Sequence, residues 1–192
     1  MKLVFATNNS NKIKEVNNLI SNQIEIISLK DIGCNEDIVE SKNTIIDNAI
    51  LKGNYIKNNY DYDCFADDTG LEVDFLNGRP GVFSKRFAGE NSTDELNMKK
   101  LLECMEESKN RNARFRTVIA LNINNQVITF TGVCEGEILK KRKGNNGFGY
   151  DPVFLPKGHN NSFGEMSLIE KNKIGHRSKA VKKLINYLNK FC

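Results

Sequence analysis

Short apolar runs alternate with helically spaced apolar positions along most of the chain. Leu3 to Ala6 is a continuous apolar run and predicts a buried strand. After the polar turn at 7–11, Ile13, Val16, Leu19 and Ile20 recur at helical spacing, and Ile24 to Leu29 predicts a second strand. Thr44 with Asp47 three residues on forms a capping-box signal, opening a helix that carries Ile45, Ile46, Ala49, Ile50 and Ile56. Cys64-Phe65-Ala66 predicts a short strand ending at Asp67-Asp68-Thr69-Gly70. Leu71, Val73 and Phe75 then alternate as a half-buried strand, and Asn77 to Gly81 is a turn. Ser92 and Glu95 start a helix bearing Met98, Leu101, Leu102 and Met105. Arg114 to Leu121 and Gln126 to Thr131 predict antiparallel strands joined through 122–125. A last helix carries Val181, Leu184, Ile185 and Leu188. Mixed strands and helices of this kind point to an α/β or α+β sheet covered by helices, rather than a helical bundle or an all-β barrel.

Composition adds little to that pattern except by exclusion. With 192 residues, 39% hydrophobic and 27% charged, the chain has the makeup of a folded globular protein. No apolar run approaches the roughly 20 residues of a membrane span, and Met1 to Ala6 is too short for a signal peptide. A cytoplasmic protein is the expectation. Five cysteines, an odd number without close pairs, are expected to be reduced and mostly buried. Together with only two histidines they offer no zinc spacing. A catalytic metal is therefore expected to be a hard ion on carboxylates, with magnesium first. The net charge of +4 is modest, so the run Lys140-Lys141-Arg142-Lys143 reads as a solvated face before it reads as a nucleic-acid patch.

Four segments could carry chemistry. Thr7-Asn8-Asn9-Ser10-Asn11-Lys12 lies between a strand and a helix, where N–H groups and a lysine suit phosphate, although it is no P-loop and alone fits a polar capping turn. Asp67-Asp68-Thr69-Gly70 supplies two adjacent carboxylates for a metal and a general base, though acidic pairs are common in turns. Glu40 is a further ligand candidate, with Glu36 and Asp37 as rivals, while Lys52 by itself reads as a solvated lysine. Gly144 to Pro152 combines three glycines with Phe148, Tyr150 and Asp151, so that a ring could stack on a base and a carboxylate accept from it; packed core aromatics are an equal reading. Lys171 to Arg177, with His176, offers cationic donors before the last helix.

In this order and nearly end to end, these stretches closely resemble the inosine triphosphate pyrophosphatase family. The resemblance rests on Thr7–Lys12, Glu40 to Lys52, Ala66 to Leu71, Gly78 to Ser84 with Arg86, Gly147–Pro152, Glu170-Lys171 and His176-Arg177. It implies one domain over 1–192, with an α/β fold of two lobes around a long mixed central sheet and an active-site cleft between them, usually as a homodimer. It implies cleavage between the α and β phosphates of inosine, deoxyinosine and xanthosine triphosphates, with magnesium as cofactor. On matching positions, Thr7, Asn8, Asn9, Ser10, Asn11 and Lys12 would bind the triphosphate and Thr69 would touch substrate. Glu40 and Asp68 would hold magnesium, Asp68 would also act as base, and Asp67 and Lys52 would support the charge network. Phe148, Gly149, Tyr150 and Asp151 would meet the nucleoside, and Lys171, His176 and Arg177 would read the base. Three positions depart from the family pattern: Asn8 replaces a common Gly, Thr69 a usual Ser, and Gly175 the Ser that usually precedes His-Arg. A pyrophosphatase for modified pyrimidine nucleotides is the nearest rival. Clustered carboxylates argue against a nucleic-acid partner, and no membrane partner is expected.

Overall fold

The computed structural model describes residues 1–20 and 24–190. The described residues form a mixed seven-stranded sheet in the order β2-β1-β3-β5-β6-β7, with the short β4 paired to β3. The strands are β1 Lys2–Phe5, β2 Glu25–Ile27, β3 Cys64–Val73, β4 Pro80–Gly81, β5 Asn112–Ile123, β6 Gln126–Ile138 and β7 Phe154–Pro156. The helices are α1 Ser10–Asn17, α2 Ile45–Tyr60, α3 Asp94–Cys104, α4 Leu168–Ile174 and α5 His176–Leu188. The residues divide into two compact units. The first comprises 1–68, 117–132 and 177–192, and the second 69–116 and 133–176.

In the first unit, β1 runs parallel to both β2 and β3. Its residues alternate between two apolar clusters, which explains the unbroken apolar run: both faces of the sheet are covered here. Leu3 and Phe5 join Phe65, Val16, Ile119 and the α5 residues Val181, Leu184 and Leu188. Val4 and Ala6 join Cys64, Ala66, Leu29 and Ile56 of α2 on the other side. Phe5 and Phe65 stack with ring centres 4.5 Å apart. In the second unit, Leu71, Val73, Phe115, Phe154 and Phe163 form the core against Met98 and Leu101 of α3.

Several elements differ from the sequence reading. Cys64 to Val73 is one continuous strand, so the acidic pair lies inside it rather than at a turn. Cations from distant segments neutralise Asp67 in the interior, which lets the strand run on through two carboxylates. The alternation beyond Val73 stops because the chain reverses through Asn77 and Gly78, both with positive φ. That reversal returns Pro80–Gly81 antiparallel to Leu71 and Glu72. Phe75 consequently sits half exposed on a one-turn 3-10 helix.

Helix α1 ends at Asn17, so Leu19 and Ile20 pack from the turn beyond it. Helix α3 is capped by Thr93, one residue after the expected Ser92. Thr44 caps α2 by accepting from the Asp47 N–H, and its hydroxyl donates back to the Asp47 carboxylate. The hairpin turns at Asn124 and Asn125, both left-handed, and its strands run longer than the apolar pattern indicated. Cys34, Cys64 and Cys134 are buried and Cys104 is exposed; Cys192 lies outside the described residues. Among the described residues no helix is long and apolar enough to cross a membrane.

Candidate active site

In the first unit, the turn after β1 is organised by its own side chains. Asn9 caps α1, its side-chain oxygen accepting from the Asn11 and Lys12 N–H groups at 2.9 and 3.2 Å. Thr7 Oγ1 accepts from the Asn9 N–H, and the Asn8 amide donates to Asp37 at 2.9 Å. Ser10 is the first residue of α1. This geometry realises the polar capping turn and gives Lys12 a fixed direction. The Lys12 ammonium reaches Asp67 Oδ1 at 2.9 Å.

Asp67 is the anchor of the cluster. Burial alone would raise its pKa, yet Lys12, Arg177 and Lys52 outweigh burial and hold it well below the usual carboxylate range. Arg177 donates to it from Nε at 3.0 Å and pairs through Nη1 with Glu15. The guanidinium that the sequence reading assigned to the base is therefore engaged by two buried carboxylates of the first unit.

One residue along β3, Asp68 faces a different environment. Its Oδ1 lies 3.8 Å from Lys52 Nζ, which also donates to Glu40 at 2.5 Å and to the Asp67 carbonyl at 2.7 Å. Burial, reinforced by Glu40 and Asp67 against the pull of Lys52 and Lys12, pushes Asp68 up to about 6. Lys52 is itself 6% exposed, not a solvated lysine. Burial works against its charge, but Asp68 and Glu40 more than offset it and raise its pKa.

The three acidic rivals before α2 are separated by their partners. Glu36 accepts from the hydroxyls of Tyr55 and Tyr60, Asp37 from Asn8, and only Glu40 points to Lys52. The described residues hold no group of three or more His, Cys, Asp or Glu side chains able to hold a metal. Two hard carboxylates sharing one lysine still suit magnesium, which commonly takes one or two carboxylates and completes its shell with water and phosphate.

In the second unit a separate cradle forms around Lys171. Its ammonium lies 2.6 Å from Asp151 Oδ2, 4.9 Å from the centre of the Phe148 ring and 5.3 Å from that of Phe163. Asp151 also accepts from the Phe148 N–H at 2.9 Å, closing the loop onto itself. The left-handed Gly147 makes this closure feasible, because a Cβ there would fall on the Asp151 carboxylate. Gly149 donates to Asp94 at the start of α3 at 2.6 Å. Phe148 is half-buried, whereas Tyr150 is 3% exposed and its hydroxyl donates to the Ser84 carbonyl, placing its ring in the core. His176 stacks on Phe115 with centres 4.5 Å apart. Thr69 is half-buried on β3.

Lys171 sits on α4, a helix the apolar pattern had not indicated. Ser167 and Glu170 form its capping box, a signal present in the sequence as Ser-x-x-Glu. Glu15, Asn48 and Asp94 were likewise missed as supporting residues. Each is polar at a helical position; the use of Glu15 and Asp94 shows only in a distant partner, and that of Asn48 in the irregular chain at Lys42.

The model of the Ham1 family matches residues 3–187. The chain belongs to the Ham1 family. Curated relatives named dITP/XTP pyrophosphatase include one from Christiangramia forsetii, 56% identical over 99% of this chain and 100% of its own length. Another, from Flavobacterium psychrophilum, is 57% identical over 97% of this chain and 98% of its own. Among solved structures, a HAM1 protein from Coxiella burnetii superposes with a TM-score of 0.92 at 37% identity, covering 99% of both chains. The Staphylococcus aureus Ham1 protein gives 0.91 at 34% identity, with full coverage of both. The mixed α/β architecture is that of the Ham1 structures, and the resemblance drawn from the motifs holds.

Proposed function

We propose that this Ham1 protein hydrolyses the triphosphates of inosine, deoxyinosine and xanthosine to the monophosphate and pyrophosphate, clearing deaminated purines from the nucleotide pool. The observation that carries the reading is the convergence of Glu40 and Asp68 on the buried Lys52 ammonium, beside an Asp67 locked by Lys12 and Arg177. The names of the curated relatives support the substrate class.

In this mechanism Asp68 takes a proton from the attacking water as its oxygen bonds to the α-phosphorus. The bond from that phosphorus to the α–β bridging oxygen breaks, and pyrophosphate leaves. Glu40 and Asp68 would hold magnesium, which when bound supplies charge compensation for the triphosphate. Lys12 and the Thr7–Asn11 turn bind the phosphates, with Thr69 touching substrate, while Asp67 and Lys52 keep the charged groups in register. Phe148 stacks on the base, flanked by Gly149, Tyr150 and Asp151.

Lys171 and His176, with Arg177, favour a 6-oxo purine, because adenine's amino group would set donor against donor. The catalytic domain spans 1–192, works as a homodimer and resides in the cytoplasm. Pyrophosphate release from inosine, xanthosine, guanosine, adenosine and thymidine triphosphates, with and without magnesium, tests the proposal. Magnesium-dependent release favouring inosine and xanthosine supports it; preference for a pyrimidine, or no release from folded protein, overturns it.

A further inference from the structure

Asn48 lies on α2 one turn before Lys52, so the two side chains share a face of the helix. It is fully buried. Its side-chain oxygen accepts from the Lys42 N–H at 2.9 Å and its amide donates to the Lys42 carbonyl at 3.3 Å. One carboxamide thus clamps both main-chain groups of a residue that belongs to no helix or strand. Two residues earlier, Glu40 reaches Lys52.

The spacing is matched on the two sides. Four residues of helix rise about 6 Å, and two residues of extended chain span about 7 Å. Residue 42 is therefore held opposite 48 and residue 40 opposite 52. We propose that Asn48 is a positioning residue that fixes the backbone at Lys42 and so sets the place of the Glu40 carboxylate. This rests on the reading of Glu40 as a magnesium ligand.

The residue type follows from the task. A carboxamide offers a donor and an acceptor side by side, as a paired strand would. An aspartate of the same shape could accept from the Lys42 N–H but could not donate to its carbonyl.

Three proteins decide the matter: wild type, Asn48→Asp and Glu40→Gln. Hydrogen exchange at the Lys42 amide, Mn2+ binding by the nucleotide-free protein and the magnesium concentration for half-maximal activity are measured on each. Residues that orient metal ligands typically cost about 10–100-fold in metal affinity when changed. Asn48→Asp is expected to speed exchange at Lys42 and weaken Mn2+ binding about tenfold. It should raise the half-activating magnesium about as much, with kcat at saturating magnesium largely kept. Faster exchange with unchanged metal dependence, while Glu40→Gln weakens metal binding, overturns the positioning role alone. Unchanged metal dependence in Glu40→Gln removes the ligand reading, and the proposal falls with it. If Asn48→Asp does not fold, Asn48→Gln takes its place: it keeps both amide groups but displaces them by one methylene, and metal binding at the wild-type level overturns the proposal.

Discussion

Arg177 donates from Nε to Asp67 Oδ2 at 3.0 Å, joining residues 110 positions apart in the chain, and both side chains are almost wholly buried. The same guanidinium pairs with Glu15, so one cation serves two interior carboxylates. Removing it takes the guanidinium from both, with Lys12 still paired to Asp67. Arg177→Ala is expected to cost about 3–5 kcal/mol of stability, the usual consequence of breaking a buried pair from one side. Urea unfolding of the variant measures it, and a loss below about 1 kcal/mol would contradict this account of the cluster.

Asp67 and Asp68 are adjacent but should respond oppositely to loss of charge. Asp67→Asn removes the carboxylate that Lys12 and Arg177 share, leaving Arg177 its pair with Glu15, and is expected to destabilise on the order of 3 kcal/mol. Asp68→Asn removes a carboxylate that burial disfavours, while Lys52 keeps Glu40 and the Asp67 carbonyl. The melting temperature should hold or rise, while pyrophosphate release falls about 10²–10⁴-fold if Asp68 is the base. Equal melting losses in the two variants would refute the division of labour.

Gly147→Ala tests the second unit. The added methyl group would meet the Asp151 carboxylate, and the left-handed backbone resists a side chain there. Loss of the Asp151 contact to the Phe148 N–H frees the ring. Because base stacking contributes about 1–3 kcal/mol, KM for inosine triphosphate should rise about tenfold or more. The magnesium activation curve should stay in place. A shifted magnesium curve with KM unchanged would reverse the assignment of roles.

Alkaline stability is expected to depend on Cys64. Burial, with Asp63 nearby, pushes its thiol up to about 12, and its Sγ lies 3.2 Å from the Gly53 carbonyl. In the unfolded chain the thiol ionises near pH ~8.5. A folded-state pKa above the unfolded one gives stability that is complete below about pH 8.5 and lost as pH rises toward about 12. This group adds a slope of up to about 1.4 kcal/mol per pH unit in that window. Cys64→Ser should flatten the unfolding free energy between pH 9 and 11 by comparison with wild type; parallel curves would show that the thiol does not contribute.

Much of the fold was legible because its signals are local. Thr44 and Asp47 announce α2, and the two apolar runs on either side of 122–125 announce the hairpin strands. The run Leu3 to Ala6 is apolar because both of its faces are covered. What was misread depends on partners far along the chain. Asp67 and Asp68 look like a strand terminator until Lys12, 55 residues before Asp67, and Arg177 are placed against Asp67. Lys52 looks solvated for the same reason. Helix α4 went unseen because it is seven residues long and its Ile169 is 69% exposed, leaving little apolar periodicity to detect. At the candidate site, the residue types were readable and the resemblance named Glu40; spacing alone did not separate it from Glu36 and Asp37, whose hydrogen-bond partners differ from its own.

The strand β3 passes from one unit to the other between Asp68 and Thr69, and the chain crosses again after Arg116, after Gly132 and after His176. Neither unit is a continuous stretch of sequence. A stop codon after Arg116 would leave Phe5 and Val16 without the α5 residues Val181 and Leu184 that cover them. No single cut of the gene releases a complete half, so domain dissection of this protein calls for circular permutation or for co-expressed fragments rather than truncation.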